Sequence, residues 1–292
     1  QTLPQSLKIL MQTQPDRIAM RMKDYGIWHD ITWSQYYQNV KKVAMGLHSL
    51  GVKRGDHVAI VGENKPEWLF SAMGVMSLGG IFVGVYTTNP VAECEYVVGH
   101  SESVVFFCED EEQFDKALAF RERTPHLKKC VVWDMEGLRH FNDPMLTSLD
   151  DLMALGEKTD REHPGLYEKI VEEGKTEETA SIIYTSGTTG KPKGVVYSHR
   201  STILHTLVAC MGDFLGLRGT DVVLPVTPMF HANSWGIPYG AVMMGVKMVF
   251  PGPHLHPDDL LDLMTQEPPT LALGGPTIWL GLIQTYDQSL HP

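Results

Sequence analysis

The sequence predicts an α/β fold: largely parallel β-sheets covered by helices. Three observations carry this expectation. Short apolar runs recur at 57–61, 81–86, 104–108 and 130–133, without the polar alternation of a strand that faces water on one side. Capped or amphipathic stretches separate those runs, which is the order of parallel strands joined by helices. The 292 residues are 43% hydrophobic and 20% charged, enough apolar material for a large core.

The elements follow in order. Thr32 and Gln35 form a capping-box pattern before a helix whose apolar face carries Tyr36, Val40, Val43, Leu47 and Leu50. Gly51 ends that helix, and a strand follows at 57–61. Asn64 and Glu67 read as the N-cap and N3 partner of a helix from Pro66. No charge appears from Trp68 to Ala92, a stretch long enough to span a bilayer. Gly79-Gly80 interrupts it and the β-rich run 81–86 follows, so it reads as a buried helix, a glycine stop and a buried strand. Asn89-Pro90 opens another helix, then come a strand at 104–108, a helix at 111–120 and a strand at 130–133. From 134 to 179 the pattern weakens and charge rises, as expected of surface helices and loops at a subdomain joint. Alternation resumes with strands near Ile182, Val195, Val222, Val249 and Leu271. Residues 1–179 are thus expected to form a first α/β subdomain, and 180–292 the start of a second, incomplete one.

Charge and cysteines narrow the function classes. A net charge of -11 repels phosphate backbones, and Lys41-Lys42 and Lys128-Lys129 are only pairs, so nucleic acid is not expected as a partner. Cys94, Cys108, Cys130 and Cys210 show no CxxC spacing and read as buried thiols of a cytoplasmic protein. No cleavable signal pattern stands at the N-terminus, and the first residue is Gln1 rather than Met, so the natural beginning is expected upstream. His254 and His256 with Asp258 and Asp259 imitate a metal site. Pro257 and the acidic pair read instead as a helix start.

The chemistry concentrates in 184–194, Tyr-Thr-Ser-Gly-Thr-Thr-Gly-Lys-Pro-Lys-Gly, between an apolar strand and an outgoing one. Glycines let the backbone approach a ligand and turn N–H groups toward it. Hydroxyls add donors and magnesium ligands, and lysines add compact positive charge. That combination suits a triphosphate. The usual P-loop requires Gly-Lys-Ser/Thr opening a helix; here Pro192 follows Gly190-Lys191, so the loop itself must hold the phosphates.

This string resembles the phosphate-binding signature of the superfamily of AMP-forming acyl-CoA synthetases, peptide-synthetase adenylation domains and luciferases. Further segments are similar in the same order: Arg54-Gly55-Asp56-His57-Val58, Gly79-Gly80-Ile81-Phe82-Val83 with Asn89-Pro90, Pro228-Met229-Phe230-His231 and Gly275-Pro276-Thr277. The resemblance covers nearly the whole chain and implies the incomplete large N-terminal domain of the adenylate-forming fold. It implies activation of a medium- or long-chain fatty acid with ATP and Mg2+ to an acyl-adenylate, then transfer to coenzyme A. By the same resemblance Thr185 is the magnesium ligand, and Ser186, Gly187, Thr188, Thr189 and Gly190 cradle phosphates with Lys191 and Lys193. Lys193 and His231 are the catalytic candidates. His231, Trp235 and Gly275 are expected at the substrate, with Trp235 gating an acyl tunnel as in fatty-acyl members.

Family members continue past Pro292 with a Thr-Glu magnesium loop, the adenine and ribose contacts and a small C-terminal lid bearing a lysine, none of which has a match here. Isolated, these 292 residues are expected to be inactive. A homodimer and peripheral membrane contact to collect the acid stay open as further associations. Two other functions stay open too: an adenylating enzyme for another acid or acceptor, and a non-catalytic nucleotide-binding or oligomerisation module.

Overall fold

The computed structural model describes residues 1–185 and 190–290. Its strands, numbered in chain order, form two sheets. The seven-stranded sheet runs β7 (Leu146–Ser148), β6 (Lys129–Val132), β5 (Val105–Cys108), β3 (His57–Val61), β4 (Ile81–Val85), β8 (Thr179–Thr185), β9 (Lys193–Ser198). The five-stranded sheet runs β12 (Leu271–Leu273), β10 (Val222–Pro225), β11 (Lys247–Phe250), β1 (Ile18–Asp24), β2 (Ile27–Thr32). Strand pairing is parallel except for β1 with β2 and β8 with β9.

Side-chain alternation sorts the strands into layers. Val58 and Ile60, Phe82, Val105 and Phe107 face a central core that also takes Met248 and Phe250 from the other sheet. Helices Trp33–Ser49 and Pro66–Ser77 fill that core, and Pro66–Ser77 is buried on nearly all sides. The intervening residues Ala59, Val61, Val83, Phe106 and Cys108 face a second core with Phe114 and Phe120. Leu224 and Val249 face a third with Leu260 and Leu263. The result is five layers, helix–sheet–helix–sheet–helix, which explains why the strands read as unbroken apolar runs. No described helix is long and apolar enough to cross a membrane.

Local signals translate directly. Thr32 Oγ1 accepts from the Gln35 backbone N–H at 3.2 Å, and the Thr32 N–H donates to Gln35 Oε1 at 2.8 Å. Strand β3 spans the expected 57–61, and Asp258 and Asp259 sit in the first turn of helix Pro257–Gln266.

Three expectations are corrected. First, the helix from Pro66 has Lys65 at its N-cap, not Asn64; the Asn64 side chain is committed elsewhere, as described below. Second, the sheets do not divide at residue 180. Strands β8 and β9 complete the seven-stranded sheet, while β1 and β2, from the start of the chain, pair beside β11. Third, 134–179 does form surface helices and loops, but it is no joint between sheets, because β7 within it belongs to the seven-stranded sheet. Helix Leu149–Glu162 packs against Trp33–Ser49 so closely that a Cβ on Gly156 would collide with the Lys42 carbonyl oxygen.

Candidate functional site

The phosphate-loop candidate is the connection of an antiparallel hairpin. Tyr184 pairs with Gly194 and Thr185 with Lys193, so the two strands bring both ends of the loop together. Ser186, Gly187, Thr188 and Thr189 lie outside the described residues. Thr185 is exposed at the carboxyl end of β8, and the exposed Lys193 makes no ion pair among the described residues.

Helix Val91–His100 supports the outgoing half of the loop. The Tyr96 hydroxyl donates to the Pro192 carbonyl at 3.1 Å, and the Lys191 ammonium lies 5.1 Å above the Tyr96 ring. Tyr96 stacks on His100, whose Nδ1 is 2.7 Å from the Tyr184 hydroxyl. Burial pushes the Tyr184 phenol up to about 12, so it stays protonated. Lys191 and Lys193 are therefore held differently: the first is seated on an aromatic ring, the second is exposed with no ion pair among the described residues.

The second wall follows β10. Tyr86, directly after β4, places its hydroxyl 2.7 Å from His231 Nδ1, and its ring centroid lies 5.0 Å from that of Phe230. Because Gly84 aligns with Ile183 on β8, Tyr86 emerges beside Thr185, one strand spacing away. Gly84 suits the close approach of this wall: a Cβ there would sit 3.1 Å from the Phe230 carbonyl oxygen, a tight contact. Tyr86 thus joins the end of β4, the neighbour of β8, to His231.

Beyond His231 the backbone turns left-handed. Ala232, Asn233, Ser234 and Trp235 have φ of 46, 51, 50 and 53°, and Gly236 follows at 78°. Such a conformation costs roughly 1–2 kcal/mol per L-residue. Asn233 and Ser234 are buried, and Asn233 Oδ1 and Ser234 Oγ lack hydrogen-bond partners among the described residues. Trp235 is 42% exposed, which is not the environment of a core tryptophan. Gly275 lies after β12, where the Thr227 hydroxyl and N–H both donate to Leu273 O. It therefore borders the same wall as His231.

The sequence reading missed Asn64, Tyr86, Tyr96 and His100. Asn64 is buried, and its side chain bonds three backbone groups of 225–229. Tyr86 carried one usable signal: it ends an apolar strand of a parallel sheet, where ligands of open α/β folds gather. Thr185 is one hydroxyl, and no group of three or more His, Cys, Asp or Glu among the described residues could hold a metal. That donor set fits magnesium only as an ion held mainly by phosphates and water, with Thr185 as a single protein ligand.

Two largely parallel sheets packed on a shared helical core, with the β8–β9 hairpin at the edge of the larger one, have the α/β architecture of the adenylate-forming fold. The chain matches the model of the AMP-binding enzyme family over residues 8–291 and belongs to that family. It is 35% identical to a long-chain-fatty-acid–CoA ligase of Thermus thermophilus, over 90% of this chain and 45% of that relative. It is 34% identical to a medium-chain-fatty-acid–CoA ligase of Ectopseudomonas oleovorans, over 86% of this chain and 44% of the relative. The chain thus spans somewhat under half the length of these relatives. Among solved structures, an anthranilate CoA ligase in complex with anthranoyl-AMP superposes with a TM-score of 0.83 at 23% identity, covering 100% of this chain and 53% of that one. A long-chain-fatty-acid–CoA ligase from Archaeoglobus fulgidus gives 0.79 at 19%, covering 98% and 54%. At such identities these two establish the fold.

Proposed function

We propose that the whole protein activates a medium- or long-chain fatty acid. A carboxylate oxygen attacks the α-phosphorus of ATP, the bond to pyrophosphate breaks, and an acyl-adenylate forms. The thiol of coenzyme A then attacks the acyl carbon and AMP leaves. The observation that supports this reading best is the hairpin geometry: Thr185 and Lys193 face each other across the loop mouth, while Tyr86 and His231 stand on the adjoining wall. Both reactants are anions, so the site must supply positive charge and alignment.

Lys193 would bind the phosphates electrostatically, with Lys191 oriented by Tyr96. Thr185 would give its hydroxyl to the magnesium that screens those phosphates. His231 would meet the acid's carboxyl end, and Trp235, on its left-handed turn, would gate the alkyl chain. The names of the relatives, long- and medium-chain ligases, favour a fatty acid over an aryl acid.

The test is isotope exchange between pyrophosphate and ATP in the whole protein. Exchange should require a fatty acid and fall at least tenfold in Lys193→Ala, about the effect of losing one charge-assisted contact. Exchange with aryl acids alone would overturn the substrate class. Trp235→Ala should alter the chain-length profile, and an unaltered profile would remove it as a gate.

A further inference from the structure

We propose that Tyr86 is a positioning residue whose hydroxyl holds His231 in the neutral tautomer protonated on Nε2, so that the ring offers an N–H donor to the carboxylate of the acid. The inference rests on the functional reading above for the identity of the acid, and on the Tyr86–His231 geometry and the chemistry of the two groups for the tautomer.

The hydroxyl-to-Nδ1 distance is 2.7 Å, a full hydrogen bond, and it fixes which imidazole nitrogen is engaged. Two arrangements satisfy it: the phenol donates to Nδ1, or Nδ1–H donates to the phenol oxygen. A phenol is a good donor and a poor acceptor, because its oxygen lone pair is conjugated with the ring. An sp² imidazole nitrogen is a good acceptor. Burial also raises the Tyr86 pKa above its ordinary value, which keeps the proton on oxygen. Neither the Tyr86 hydroxyl nor His231 Nε2 has another hydrogen-bond partner among the described residues. The phenol proton therefore goes to Nδ1, and the ring's own proton stays on Nε2.

The frame around the pair is closely packed. The Phe230 ring packs on Tyr86, and Gly84 admits the Phe230 backbone to contact distance. Asn64 binds the Met229 N–H at 2.7 Å, two residues before the histidine. His231 is exposed, so the Nε2 edge remains accessible to a ligand. An imidazole with the proton on Nδ1 would instead present a lone pair to a carboxylate, which repels it. The tautomer therefore decides whether the residue attracts or excludes the acid.

Long-range ¹H–¹⁵N correlation spectra separate the two neutral tautomers, and His231→Ala assigns the signal. On this chain at pH 8, His231 should carry its proton on Nε2. Tyr86→Phe, which keeps the ring against Phe230, should give a mixture, with the minor tautomer rising several-fold. A proton on Nδ1 in the parent, or unchanged populations in Tyr86→Phe, overturns the proposal whatever the activity. In the whole protein, Tyr86→Phe should raise KM for the fatty acid about tenfold in pyrophosphate exchange and leave KM for ATP unchanged. A shifted tautomer with an unchanged KM for the acid overturns the positioning role. Absence of acid-dependent exchange in the parent protein would instead count against the fatty-acid reading, and the tautomer would still be measured.

Discussion

Asn64 Oδ1 accepts from the Met229 backbone N–H at 2.7 Å while its Nδ2 donates to the carbonyls of Pro225 at 2.7 Å and Thr227 at 2.9 Å. Asn64 follows β3 of one sheet, and its three partners lie at and just beyond the end of β10 of the other. One buried amide thus ties the two sheets together at the wall that carries His231. Backbone groups of 225–229 leave the sheet here and need a partner with both a donor and an acceptor, which a carboxamide supplies.

Asn64→Ala should therefore cost roughly 3 kcal/mol, because it leaves three buried backbone groups unsatisfied. Asn64→Asp should be at least as costly. It keeps the acceptor for Met229 but sets a carboxylate oxygen against two carbonyls. Urea unfolding of the two variants checks this. A loss below about 1 kcal/mol in both would mean that water replaces the amide without penalty.

Ala232 should behave in the opposite sense. It is exposed and has φ of 46°, so its methyl group costs strain and contributes little packing. Ala232→Gly should raise stability by roughly 0.5–1 kcal/mol, the strain relieved less the extra entropy glycine loses on folding. Thermal melting reads the sign. Destabilisation would show that residue 232 is not left-handed in solution.

His199 opens helix His199–Cys210, is 1% exposed, and has an Nδ1 without a partner among the described residues. Burial pushes its pKa down to about 4, outweighing the opposite pull of Glu178. The folded state therefore keeps the imidazole neutral where the unfolded chain, titrating near 6.5, takes up a proton. The contribution to stability is full above the unfolded value, falls as pH drops, and levels off below about 4. The total loss is about 3 kcal/mol by linkage. His199→Gln should flatten this part of the stability–pH curve. Equal slopes for parent and variant between pH about 6.5 and about 4 would place the acid sensitivity elsewhere.

What could be read from the sequence follows from the range of the forces involved. The cap at Thr32 and Gln35, the strand 57–61 and the hairpin around 184–194 depend on neighbours in sequence, and they sit where local patterning put them. Sheet membership does not. Strands β8 and β11 carry similar apolar runs, yet β8 pairs with β4 in the larger sheet and β11 with β1 and β10 in the smaller, a choice made by contacts distant in sequence. Asn64 read as a cap because caps are the common local use of asparagine; its actual partners lie more than 160 residues away. The turn at 232–235 left little trace, since Ala, Ser and Trp rarely adopt left-handed backbone and only Asn233 and Gly236 favour it.

Tyr96 provides the test of how the phosphate loop keeps its shape. Its hydroxyl holds the Pro192 carbonyl and its ring seats the Lys191 ammonium, so one side chain grips the loop at two consecutive residues. Tyr96→Phe removes the first grip and keeps the second; Tyr96→Leu removes both. The lost hydrogen bond is worth about 1 kcal/mol and the cation–π contact about 0.5–1 kcal/mol. If the loop binds phosphates, magnesium pyrophosphate should bind about fivefold more weakly in the Phe variant and about tenfold or more in the Leu variant. Lys193→Ala should weaken binding further than the Phe variant, because it removes charge rather than shape. Calorimetric titration of each variant resolves the order. Parental affinity in Tyr96→Leu would show that the β8–β9 pairing alone holds the loop, and that Lys191 needs no aromatic seat.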